Sequence, residues 1–190
     1  MDRGGVPRPQ QICFTSNVES HSATQGGMTT YTLSITLPPE AQNIYTVFGA
    51  PPAPGSGRSS VLSIPAAYQE PAPFGVNVGG VNPQFLPIQP SAADDSWLTV
   101  GITDGDSHGS MSSIGIDWDS WSLDHGITAD DGAVFWMDPS AAPGGTVTVA
   151  QLTTATGGRW EATMGMQGQS CDRCGDDWVV HNAVFTNGQH

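Results

Sequence analysis

The sequence predicts an all-β protein: an antiparallel β-sandwich, jelly-roll or immunoglobulin-like, with about nine to ten strands and long Pro/Gly-rich loops. Three observations carry that expectation. Over residues 95–139, short apolar runs alternate with turns of Asp, Gly and Ser, and no helix-period stripe of useful length survives. The 190-residue chain holds 24 Gly and 15 Pro but only 12% charged residues, which starves helices and suits strands joined by tight turns. Trp97, Trp118, Trp121 and Trp136 all fall in the same stretch, together with Phe135.

The elements follow in order. Residues 1–28 are polar and weakly patterned and read as an extended N-terminal arm, with room for one strand near Ile12 to Phe14. Residues 29–190 read as a single sandwich domain. Residues 29–37 (TTYTLSITL) alternate and are rich in β-branched side chains, so they read as a strand, which Pro38 and Pro39 end. Residues 43–48 (NIYTVF) supply a second strand, residues 49–60 a Pro/Gly/Ser loop, and residues 61–64 a short strand closed by Pro65.

Residues 71–90 carry apolar side chains, yet Pro and Gly recur too often for a regular strand. They read as an ordered loop that packs Phe74, Val78 and Phe85 onto the body, with Gly79 and Gly80 allowing positive φ or close backbone approach. Strands are expected at 96–102, at 113–118 with Ile114 and Ile116 on one face, and at 133–137. The last is almost continuously apolar and reads as a central strand buried on both faces. Residues 146–153, 160–166 and 177–185 complete the set, and residues 119–125 have room for one helical turn.

Charge narrows the partners. The formal net charge is −13, no lysine is present, and the basic side chains are five arginines. Such a field repels nucleic acid and anionic lipid surfaces, and it suits cations, Ca²⁺ included. No apolar run approaches the ~18 residues of a membrane span, so no membrane insertion is expected. The opening MDRGGVPRPQQICF lacks the apolar core of a signal peptide. Protein partners or self-association are expected, with polysaccharide as the alternative.

Three groups of residues can carry chemistry. Asp104 and Asp106 flank Gly105, and Asp117 and Asp119 form a second acidic pair. Alternating Asp on a tight turn can aim oxygens at one Ca²⁺, although the EF-hand spacing is not met; the competing reading is a set of Asx turns at solvated loop tips. No other cofactor is indicated. Cys171 and Cys174 form a C-x-x-C pair, and with Cys13 they make three cysteines. They read as disulfide candidates, with free thiols and a partial zinc site as alternatives; an odd count leaves one thiol unpaired or paired outside the chain. Trp118 and Trp121 in DWDSW are candidate platforms for a sugar ring or a partner, as are Phe74 and Phe85 for a partner, whereas Trp97 and Trp136 read as core. No nucleophile elbow, HExxH, phosphate loop or dinucleotide fingerprint occurs, so no catalytic residue is assigned.

The segments NIYTVFG, SIPAAYQEPAPFGVNVGGVNPQF, DSWLTVGITDGD, SIGIDWDSW, DDGAVFWMDP and GTVTVAQLT, followed by GMQGQS and DDW, resemble a poorly characterised module. It recurs in predicted secreted or surface proteins of marine microalgae and some aquatic microbes. The resemblance covers roughly residues 44–185. It implies an all-β module of extracellular or structural assemblies, located outside the cell or at its surface, with an organelle lumen such as the plastid as the alternative. The leading expectation is a non-catalytic structural or assembly subunit. A calcium-assisted carbohydrate-binding module and a hydrolase using Asp pairs of the acidic loops are the alternatives.

Overall fold

The strands form where alternation lets one face meet a core. In the computed structural model, which describes residues 12–52, 57–171 and 177–188, the described residues hold eleven strands. These are β1 (Thr15–Ser22), β2 (Met28–Thr36), β3 (Thr46–Gly49), β4 (Leu62–Ile64), β5 (Trp97–Leu98), β6 (Met111–Ile114), β7 (Ile127–Ala129), β8 (Gly132–Trp136), β9 (Thr146–Ala155), β10 (Glu161–Gly168) and β11 (Trp178–Thr186). They make two antiparallel sheets, a β-sandwich. One runs β1-β2-β9-β5 and the other β6-β8-β3-β10-β4-β7, with β11 also on β10. β11 follows one edge of β10, so β3 and β4 share the other edge end to end.

Between the sheets lies one apolar core. Leu33 and Ile35 of β2 with Val147 and Leu152 of β9 face Val47, Leu62, Met164, Met166, Trp178 and Phe185, all buried. Each such side chain contributes roughly 1.5–3 kcal/mol on burial. The outward side of β2 and β9 is hydroxylic instead. Thr30 bonds Thr153 at 2.7 Å and Thr36 bonds Thr146 at 3.0 Å across the ladder.

Several expectations are corrected. The arm expected over residues 1–28 holds an eight-residue strand, β1, paired with β2 from Thr15↔Thr36 to Ser22↔Thr29. β5 covers only Trp97–Leu98 of the expected 96–102: beyond it Thr99 N–H and Gly101 N–H still reach the Val149 and Thr148 carbonyls of β9, but outside a regular ladder. β6 stops at Ile114 because Gly115 turns into the left-handed region at φ +70°, and Trp118–Ser120 becomes a 3₁₀ turn. β8 is central but buried only at Gly132 and Val134, so one of its faces is open. β7 was not anticipated.

Candidate functional site

Residues 65–96 build the most unusual polar feature of the fold. Pro and Gly prevent this segment from continuing a sheet, and it folds through two 3₁₀ turns, Pro83–Phe85 and Pro90–Asp94. Asn82 caps the first by accepting Gln84 N–H at 2.9 Å. Gly79 and Gly80 take φ +82° and +77°, and a Cβ on Gly80 would collide with the Thr103 carbonyl. Leu98 points into the main core, so Trp97 points outward, and there Val81, Ala92 and Trp97 form a second apolar cluster with Phe74, Val76 and Leu86. The segment is therefore a cap on the outer face of the four-stranded sheet, pinned at its middle by the parallel bridge Val78↔Leu98.

Under the cap runs a polar seam with three buried carboxyl groups, Glu70, Asp94 and Asp95. Asp94 accepts from Thr24 Oγ1 and from Gln25 N–H at 3.1 Å, which ties the cap to the β1–β2 turn. Asp95 accepts Glu70 N–H at 2.8 Å and Val76 N–H at 2.6 Å, closing the start of the cap on its end. Glu70 accepts from Tyr68 OH at 2.7 Å and Gln89 Nε2 at 2.8 Å. Gln151 of β9 donates to the carbonyls of Ala93 and Asp95, and Ser96 Oγ accepts Thr153 N–H. Every carboxyl thus has donors, as burial requires.

The environments push these groups apart. Burial drives the Asp95 carboxyl up to about 7, against backbone amides of Val76, Glu70 and Ser96 that favour its charged form. Burial also pulls Glu70 up, but hydrogen bonds from Tyr68, Ser91 and Gln89 outweigh it and the net shift is down. Tyr68 is pushed up to about 12, first by burial and then by its bond to Glu70. Asp95 is fully buried and Glu70 nearly so, which leaves no path for a substrate to reach them.

A second pair deserves comparison. Ser60 Oγ lies 2.8 Å from His181 Nδ1, the contact a nucleophile and its base would make. Burial, and then Arg58, lower the basicity of His181. Ser60 is fully buried, however. The pair works as a clamp with its neighbour. β11 bulges at His181 and Asn182, and Asn182 at φ +53° binds Val61 N–H at 2.8 Å and the Ser59 carbonyl at 3.0 Å. Gly165 makes the crossing possible, because a Cβ there would stand 2.7 Å from the Phe48 ring and 2.8 Å from Ser60.

Of the residues singled out from sequence, the structure sets Trp118 against Trp121, ring centroids 6.1 Å apart, and Phe74 against Phe85, 5.7 Å apart. Both oxygens of Asp106 accept backbone amides of its own turn, from Ser110 and Met111 at 2.8 Å each. Asp104, Asp117 and Asp119 are exposed. Among the described residues no three His, Cys, Asp or Glu side chains are grouped to hold a metal ion. Trp121, expected on an exposed platform, is only 3% exposed and donates to the Pro65 carbonyl at 2.9 Å. The 3₁₀ turn folds it inward, and Trp118 remains half-buried beside it, bonded to Ser113. Phe74 belongs to the second cluster, and Phe85 stacks edge-on against it with 38% exposure. Cys13 is an exposed free thiol and Cys171 is disulfide-bonded; Cys174 lies outside the described residues. Sequence reasoning passed over Glu70, Asp94 and Asp95. The one available signal was an Asp pair placed directly before the apolar strand SWLTV.

The chain matches no protein family, no curated protein and no solved structure.

Proposed function

We propose that the protein is a non-catalytic assembly module that joins other chains through the free edge of β1, a second copy of itself first among them. The observation that carries this reading is β1 itself. It is eight residues long, contains no proline, and pairs with β2 without a bulge. Its other edge has no ladder partner among the described residues, and Val18 is its only half-buried residue. Such an edge is a template for a further strand. The other edges are less suitable: β5, β6 and β7 have two to four residues, and β11 is broken by its bulge.

Self-pairing has a preferred register. Opposed residues in a continuous sheet must share a face, so a two-fold axis has to pass through a residue and not between two. An axis at Val18 sets Val18 against Val18 on the core side. It also sets Asn17 against Glu19 and Thr15 against His21, which are complementary pairs. An axis at Glu19 would oppose two carboxylates. The sugar-platform and acid-pair alternatives lose support, since Trp121 is buried and Asp106 closes its own turn.

Light scattering coupled to gel filtration tests the proposal. Each copy carries −13, so dimerisation should strengthen as salt rises from ~20 mM to ~300 mM and shortens the screening length. Asn17→Lys with Ser20→Lys should abolish it while the melting curve stays in place. A strict monomer at millimolar concentration in high salt, with no protein retained on an immobilised copy, would overturn it.

A further inference from the structure

Three polar atoms inside the fold have no hydrogen-bond partner among the described residues: Gln69 Nε2, Thr154 Oγ1 and Trp160 Nε1. Thr154 and Trp160 are 7% and 8% exposed, and the Gln69 amide nitrogen is sealed from solvent although its residue is half-buried. Buried polar atoms are seldom left bare. All three belong to one end of the sandwich. Thr154 follows Leu152 along β9 on the core side, diagonal to Tyr31, which pairs with Leu152. The Trp160 ring, at the head of β10, packs edge-on against Tyr31 with centroids 5.1 Å apart. Gln69 arrives along the other edge of β9, where Tyr68 N–H donates to the Thr153 carbonyl at 2.8 Å. Tyr68 turns under the cap to Glu70, and Ala67 lies in the main core. Alternation therefore turns Gln69 to the core side, where Thr154 is.

The three atoms dictate what they can hold. The indole N–H and the amide N–H donate and cannot accept, while the Thr154 hydroxyl does both. A guest must therefore accept from both nitrogens, and it can return a proton to Thr154. None of the three side chains is ionisable, and an ion placed there would lose its hydration without gaining a counter-charge. We propose that one internal water molecule is built into this end of the sandwich, accepting from Trp160 Nε1 and Gln69 Nε2 and donating to Thr154 Oγ1. About three bonds are the usual complement of a buried water. This one joins the smaller sheet through Thr154, the larger sheet through Trp160 and the lead into the cap through Gln69. Asn187 braces the same end, donating to Tyr31 OH at 3.3 Å and accepting Trp160 N–H at 3.0 Å.

Nuclear magnetic resonance on the full chain, with the indole nitrogens isotopically labelled, provides the test. The signal lost in Trp160→Phe identifies the Trp160 N–H. In the wild type that proton should exchange slowly with solvent and yet show a cross-relaxation peak to water, with the sign of a water that stays bound longer than the molecule takes to tumble. Thr154→Val removes the acceptor at nearly constant shape, so the peak should vanish while the remaining indole signals keep their positions. If that variant fails to fold, Gln69→Leu serves: it removes a donor from a half-buried position, and the peak should vanish likewise. A slowly exchanging Trp160 N–H with no peak to water would overturn the proposal. A peak that the folded variant leaves unchanged would do the same, since the water would then be held by other groups. So would a Trp160 signal that moves when chloride is added to a chloride-free sample, because the guest would then be an anion.

Discussion

Replacing Asn43 with alanine should loosen the seven-stranded sheet without touching β1 or the cap. Asn43 is 2% exposed and sits just before β3. Its Nδ2 donates to the Pro139 carbonyl at 2.8 Å and to Gln169 Oε1 at 3.0 Å, and its Oδ1 accepts Gln169 N–H at 2.9 Å. Three loops thus meet on one amide. Pro139 is exposed, so its carbonyl can turn to water at small penalty, and the Gln169 side chain can do likewise. The Gln169 N–H is half-buried and keeps no side-chain acceptor, at about 1–3 kcal/mol. Adding the net loss of the other two bonds gives roughly 2–4 kcal/mol. For a chain of this length that is a fall in Tm of about 5–15 °C, read by calorimetry at fixed pH. Asn43→Asp keeps the acceptor but buries a charge, so it should be at least as harmful at pH 7 and partly recover near pH 4. A Tm shift below ~2 °C for Asn43→Ala would refute the reasoning, since those bonds would then have no structural weight.

Two further outcomes follow from the site residues. Trp121→Ala should destabilise by about 3–5 kcal/mol in urea titration, because Trp121 is a core side chain with a satisfied N–H, whereas half-buried Trp118→Ala should lose clearly less. Equal losses would contradict the inward placement. His181 is less basic when folded than when unfolded, so it adds stability above ~6.5 that is lost as the pH falls through its folded value. Melting curves of His181→Gln should therefore decline less than wild type between pH 7 and 5, and an unchanged slope would remove His181 from the clamp.

The long inner strands were legible because one face is apolar. β2 and β9 alternate over nine and ten residues, and their expected spans differ from the observed ones by one or two residues. β1 was not legible for the opposite reason. TSNVESHS has one apolar side chain, since an edge strand exposed on both sides buries almost nothing, and pairing with β2 alone shapes it. Gly115 cuts an expected strand short, and a glycine inside an alternating run does not announce the sign of its φ. The acids beneath the cap were hidden for a tertiary reason. Asp94 and Asp95 look like a loop tip in one dimension and become interior only because residues 65–96 fold back over Trp97. Trp121 was misplaced because a three-residue turn reverses which ring of DWDSW faces the core.

The kink at His181 and Asn182 has a consequence beyond fastening Ser59 to Val61. A body with two straight borders can stack endlessly, each unit offering a fresh border to the next. Here the long border of the larger sheet is interrupted by that bulge, and among the described residues one long straight border remains, on the smaller sheet. Under the proposed pairing, two molecules that met there would occupy each other's straight edge and leave no further edge of that kind for a third.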